Sequence, residues 1–238
     1  MSDLALKIEN VSAGYGETVV LNNISLEVHK GERLAIIGRN GVGKTTLLAT
    51  IMGLTNLHSG SIALNGKPIM HLPTHVRARS GLGLVPQTRD IFPSLSVEEN
   101  LISGMRGDAS LDEAYELFPR LKERRSNGGG TLSGGEQQML AIARTLLGKP
   151  EVLLLDEPLE GLAPVICDML LDVFEQIAKS GSQTVVLVEQ HTGLAVNFAD
   201  RVIIIDGGEI VHAGTSQELV ENPGLLERHV GVGLMEAN

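Results

Sequence analysis

The chain contains no tryptophan and a single cysteine, Cys167. One cysteine excludes a disulfide framework and any cysteine-based zinc site. Aromatic residues total 3 %, too few for a platform on which single-stranded nucleic acid could stack. Basic residues are outnumbered, 19 Lys and Arg against 29 Asp and Glu, for a net charge of −10. An acidic chain has no bulk field that would draw it onto nucleic acid or anionic lipid. Long apolar runs are missing as well. The longest, such as Val185–Val188 and Val202–Ile205, have the length of strands, far short of the roughly 18 residues of a membrane span. The first ten residues mix Asp3, Lys7 and Glu9 into short apolar stretches, so no signal-peptide core is expected there. If the protein works at a membrane, another chain does the spanning.

What remains is a chain of 238 residues, 42 % apolar, able to bury a sizeable core. Its first part reads as short strands at Ala5–Val11, Val19–Leu26, Arg33–Gly38 and Ser61–Leu64, separated by glycine-containing turns. A helix is expected over Thr45–Met52 with its stop at Gly53, then a buried strand at Gly83–Pro86. The middle differs: helical patterns occupy Val97–Ser103, Leu111–Leu121 and Glu136–Leu147. From Glu151 onward strands (Val152–Leu155, Thr184–Val188, Arg201–Asp206) alternate with helices (Val165–Lys179, His191–Phe198). Such alternation predicts an α/β fold with a largely parallel sheet, into which the middle is inserted as a helical lobe. The chain is expected to form one domain over 1–238, with its core from 1–87 and 151–238 and the helical lobe from 88–150.

Gly38-Arg39-Asn40-Gly41-Val42-Gly43-Lys44-Thr45 matches G-x-x-x-x-G-K-[ST], follows an apolar strand and opens a helix. The glycines allow backbone N–H groups to turn inward as an anion nest, and the helix N-terminus adds positive partial charge there. Lys44 then places a cation on the β/γ-phosphates, and the Thr45 hydroxyl can ligate Mg²⁺. A glycine-rich β–α turn with an exposed lysine is the bland alternative. A second apolar strand ends in acids, Asp156-Glu157-Pro158. Functional groups collect at the carboxyl ends of parallel strands. Asp156 there can hold Mg²⁺, and Glu157 can polarise an attacking water as general base.

The third motif is Leu132-Ser133-Gly134-Gly135-Glu136. Ser133 and Glu136 have capping-box spacing, yet two glycines in a first helical turn are costly, at up to about 1 kcal/mol each. Close approach of a ligand to bare backbone would explain them. With these three motifs in this order, nearly the whole chain resembles an ATP-binding-cassette (ABC) ATPase. The resemblance implies a RecA-like P-loop NTPase core with an N-terminal antiparallel β subdomain and an inserted α-helical subdomain. It implies that Tyr15 stacks on adenine and that Gly38 through Lys44, with Thr45 and Thr46, surrounds the phosphates of ATP. It further implies that Gln87 senses Mg²⁺ and the attacking water, that His191 contacts the γ-phosphate, and that Ser133, Gly134 and Gly135 close over ATP held by a partner. His29, His58, His71, His75, His212 and His229 are read as ordinary surface residues. One departure stands out: an Asp usual in the family five residues after Pro158 is replaced by Ala163.

Glu136 to Arg144, Gly161-Leu162-Ala163-Pro164, Glu189-Gln190 and Tyr115 to Leu121 are similar to one subgroup. These are the shorter ATPase subunits of importers of the branched-chain amino-acid type, whose relatives also serve other small polar solutes. The resemblance implies a peripheral location on the cytoplasmic face of the membrane and transmembrane permease subunits as partners. It implies a head-to-tail dimer, with itself or with a longer sister ATPase, indirect dependence on an extracytoplasmic solute-binding protein, and no nucleic acid. A docking surface for the permease is expected at Thr88–Leu95, through Ile91, Phe92, Pro93 and Leu95. The alternatives are a soluble ABC ATPase outside transport and a regulatory subunit that binds ATP without hydrolysing it.

Overall fold

The computed structural model describes residues 3–179, 183–222 and 224–226; His229 lies outside them. Strands β1 (Leu4–Tyr15), β2 (Thr18–His29) and β3 (Arg33–Ile37) lead into helix α1 (Lys44–Met52). Then come β4 (Asn56–Leu64), β5 (Lys67–Pro68), α2 (Thr74–Arg79) and β6 (Leu82–Val85). Helices α3 (Val97–Gly104), α4 (Leu111–Leu117), α5 (Pro119–Glu123) and α6 (Gly134–Leu146) follow without an intervening strand. The remainder is β7 (Val152–Asp156), α7 (Pro164–Lys179), β8 (Thr184–Glu189), α8 (Thr192–Phe198), β9 (Arg201–Asp206), β10 (Glu209–Thr215) and α9 (Ser216–Glu221).

Two sheets form. The first, ordered β2-β1-β4-β5, is antiparallel. The second, ordered β10-β9-β3-β8-β7-β6, is parallel except for β10 at its edge. Its inner strands are apolar on both faces, and their alternation divides the core in two. Val152, Leu154, Val186 and Val188 pack on the side of β1, β2 and α1. Leu153, Leu155, Val185 and Leu187 pack on the side of α6, α7 and α8. Among the described residues no helix is long and apolar enough to cross a membrane.

The expected helix over Leu111–Leu121 is broken. Its first part ends at Leu117 and a second begins at Pro119. Proline lacks the N–H that would continue the ladder and its ring clashes with the preceding turn, whereas the first position of a new helix accepts it. Among the described residues, capping boxes fix four helix starts: Ser96 with Glu99, Ser110 with Glu113, Ser133 with Glu136, and Thr215 with Glu218.

Buried Arg77 of α2 closes the far end of α1. Its guanidinium donates to the carbonyls of Thr50 at 2.9 Å and Ile51 at 2.8 Å, and to those of Met70 and Leu72 at 2.8 Å each. Two carbonyls of the last turn of α1 thus gain a partner from another element, Thr50 in addition to the Gly53 N–H.

Candidate active site

The loop from β3 to α1 passes so close to β9 that a Cβ at Gly38 would sit 2.3 Å from the Ile205 carbonyl oxygen. At its other end Gly43 has φ 112°, a left-handed backbone that opens α1. No side chain caps this helix and its first turn holds no acid, so its N–H groups are available to an anion. Lys44 is buried and folded back over the loop. Its Nζ donates to the carbonyls of Gly38 at 2.9 Å and Arg39 at 3.1 Å and lies 3.3 Å from Glu157 Oε1. The Thr45 hydroxyl donates to Asp156 Oδ1 at 3.0 Å.

Asp156 ends β7, two places across the sheet from β3, and Glu157 follows with φ 46°. Both are buried, and the Glu157 N–H donates to the Val188 carbonyl at 2.9 Å. Glu157 Oε2 accepts from Gln87 Nε2 at 3.2 Å and from Gln190 Nε2 at 2.5 Å, while Gln87 also bonds Glu160. One carboxylate therefore faces a cation and two amides. Burial pushes Asp156 up to about 6; the Thr45 hydrogen bond opposes that rise and the charge of Glu157 adds to it.

Asn40, Gly41, Gly43, Lys44, Thr45, Thr46, Gln87, Glu157, Glu160 and Gln190 line a cavity of about 280 Å³, which Asp156 meets through the Thr45 hydroxyl. The remaining loop residues support it from behind. Gly38 and Arg39 supply carbonyls to Lys44, and the Val42 carbonyl accepts from the Gly208 N–H. The structure does not bring His191 into the cavity. His191 is exposed at the start of α8, and its neighbour Gln190 lines the cavity. Strand alternation accounts for the shift. Val186 and Val188 face α1, so the next side chain on that face is Gln190, and Glu189 falls on the other. Tyr15 is half-exposed at the β1–β2 turn, outside the cavity.

Ser133, Gly134 and Gly135 also lie elsewhere. With Glu136, Gly161, Leu162 and Ala163 they line a second cavity of about 570 Å³. A Cβ at Gly134 would come within 3.3 Å of Arg89 Nη1, and one at Gly135 within 3.3 Å of Ile166 Cγ2. Packing inside the chain thus accounts for part of what the two glycines do. The loop from Glu157 to Ala163 runs from the first cavity to the second. In the segment after Gln87, Phe92 and Pro93 are exposed while Ile91 and Leu95 are half-buried. Phe92 lies under the Arg144 guanidinium, 5.1 Å away, in a groove of about 310 Å³ shared with Met52, Leu84 and Arg106.

An anion nest and two buried acids at the carboxyl end of one parallel sheet make this fold that of a P-loop NTPase. The chain belongs to the ABC transporter family, whose model matches residues 21–160. It is 44 % identical to the high-affinity branched-chain amino acid transport ATP-binding protein BraG of Pseudomonas aeruginosa, across 95 % of this chain and 99 % of BraG. It is 38 % identical to the probable branched-chain amino acid transport ATP-binding protein LivF of Archaeoglobus fulgidus, with the same two coverages. Among solved structures, cbiO1 of Clostridium perfringens, part of the ABC transporter complex cbiONQ, superposes with TM-score 0.81 at 26 % identity over 95 % of this chain and 94 % of that one. A dimeric ATP-binding cassette in a post-hydrolysis state, bound to ADP and Pi, gives 0.78 at 26 % identity over 89 % and 98 %.

Proposed function

We propose that the chain is the ATP-hydrolysing subunit of an importer for branched-chain amino acids or a related small polar solute. The observation that carries the hydrolytic half is the convergence of Lys44, Thr45 and Glu157 on one cavity, with Asp156 bonded to the Thr45 hydroxyl. Similarity to BraG and LivF over nearly the whole chain supports the transport half.

In this reading Lys44 leaves Glu157 and the loop carbonyls to face the phosphates. The Thr45 hydroxyl and the Asp156 carboxylate, 3.0 Å apart, are hard oxygen donors suited to Mg²⁺. That ion supplies charge neutralisation at the phosphates. Glu157, released from Lys44, accepts the proton of the attacking water. Gln87 and Gln190 hold its carboxylate in place, and Gln190 takes the role expected of His191. Tyr15 offers a ring to the adenine.

Two copies, or this chain and a sister ATPase, pair head to tail, so that Ser133, Gly134 and Gly135 of one cover the phosphates held by the other. Permease subunits dock at the groove beside Phe92 and place the chain on the cytoplasmic face of the membrane. A solute-binding protein acts through those subunits. The test is Lys44→Ala. Losing a charge-assisted contact worth about 1.5–3 kcal/mol should weaken ATP binding roughly ten- to a hundredfold and abolish Mg²⁺-dependent turnover. Unchanged turnover would make the loop a structural turn. Purifying the native membrane complex and measuring uptake of leucine, isoleucine and valine in vesicles decides the solute.

A further inference from the structure

Glu189 is out of place by the logic of its strand. Along β8, Val185 and Leu187 fill the apolar side of the sheet that carries α6, α7 and α8, and Glu189 is the next side chain on that face. It is 1 % exposed, and its Oε1 is buried without a hydrogen-bond partner. An aliphatic side chain would suit the site better, because burying a carboxyl is costly unless it is well bonded. A residue that breaks the local pattern in this way points to a use.

The other oxygen shows what the use is. Glu189 Oε2 accepts the N–H of Gln190 at 3.2 Å. Burial drives its pKa up to about 7, against the opposing pull of nearby backbone N–H groups, that of Gln190 foremost. Cys167 of α7 is close enough for the charge of Glu189 to raise its thiol. The carboxyl therefore sits where two loops part. One is the turn Gln190-His191 after β8. The other leaves β7 through Glu157 and Leu159 toward Gly161–Ala163. Their last backbone bond is Glu157 N–H to the Val188 carbonyl at 2.9 Å. Beyond it, the Glu189 carboxyl sits beside the start of the second loop and bonds the first, at the Gln190 N–H.

We propose that Glu189 is a positioning residue for ATP hydrolysis: its buried carboxyl ties down the turn after β8 by accepting the Gln190 N–H and so holds the Gln190 side chain against Glu157. This rests on the reading of Glu157 as the general base. Glu189 never reaches the phosphates, since it lies on the opposite face of the sheet from α1.

The experiment measures steady-state Mg²⁺-ATP hydrolysis by the full chain and by Glu189→Leu, Glu189→Gln, Gln190→Ala and the Glu189→Leu/Gln190→Ala double variant. Glu189→Leu removes the tie and is expected to lower kcat about tenfold, with KM within about twofold because Lys44 and Thr45 are untouched. Glu189→Gln keeps one acceptor oxygen and is expected within about threefold of the parent. The double variant should be no slower than Gln190→Ala alone, because both changes cut one chain of contacts. A parent-like kcat in Glu189→Leu, no effect of Gln190→Ala, or losses that multiply in the double variant would overturn the proposal. If Glu189→Leu does not fold, Glu189→Asp decides, since it retracts the carboxyl by about 1.5 Å. A fall in kcat at constant KM supports the tie, and an unchanged kcat overturns it. Absence of Lys44-dependent hydrolysis in the parent would sink the reading of the site and this inference with it. Normal hydrolysis that ignores Glu189 sinks the inference alone.

Discussion

Replacing Glu157 with Gln should separate three properties that are normally lost together. Glu157 lies 3.3 Å from Lys44 Nζ, with both side chains almost fully buried. At an effective dielectric constant of about 20, that distance corresponds to a gross attraction of about 5 kcal/mol. Breaking a buried pair by removing one partner typically costs about 3–5 kcal/mol. Lys44 keeps two carbonyl acceptors, Gly38 and Arg39, so the lower end applies. For a chain of this size about 3 kcal/mol corresponds to a fall in Tm of about 6–12 °C. The variant with ATP bound should not show this deficit, because Lys44 then faces phosphate rather than Glu157. By linkage, ATP should bind more tightly to the variant, by up to about a hundredfold. Turnover should fall by about 10²–10⁴, the usual contribution of a general base. Thermal melts with and without ATP, calorimetric titration and a phosphate-release assay read these out separately. If the Tm without ATP and the ATP affinity are both unchanged, Lys44 is not held by Glu157, whatever turnover does.

The acid limb of activity should follow Asp156. Its carboxyl titrates near 6, so protons compete with Mg²⁺ below that pH, and the Mg²⁺ concentration giving half-maximal turnover should rise between pH 7.5 and 5.5. The sign for stability is opposite: a carboxylate whose pKa is raised on folding destabilises the fold above about pH 6, and that penalty fades as pH falls toward about 4. Asp156→Asn should therefore raise the nucleotide-free Tm at pH 7.5 while abolishing Mg²⁺-dependent turnover; a lowered Tm would contradict the burial argument. Phe92→Asp puts a charge into the groove under Arg144, and should abolish co-purification with permease subunits while basal ATPase survives; equal loss of folding would make Phe92 a packing residue. Light scattering should show Glu157→Gln doubling in mass with ATP but not with ADP, and Ser133→Arg should abolish the doubling. A monomer at saturating ATP points to a sister ATPase as partner, tested by adding it.

Much of this architecture is legible because buried parallel strands are written as unbroken apolar runs. Val152–Leu155 and Arg201–Asp206 end within a residue of their observed limits. Edge elements are harder to see. Residues 56–60 of β4 carry His58, Ser59 and Gly60 and become a strand only by pairing with β1, through contacts such as Leu57 to Ala13. The exposed edge β10 and the six-residue α2 and α9 lack a periodicity strong enough to announce them. At the site, residues within a contiguous motif were readable together. Gln190 and Glu160 were not, because their importance comes from Glu157, far away in sequence. Counting alternation outward from Val186 puts Gln190 on the face of the first cavity, whereas the family resemblance implies His191.

Arg77 gives α1 a mechanical character. The proposed phosphate site lies at the amino end of that helix, while the carboxyl end is bolted to α2 through the Thr50 and Ile51 carbonyls. The helix is thus anchored at its far end, a fixed post and not a piston.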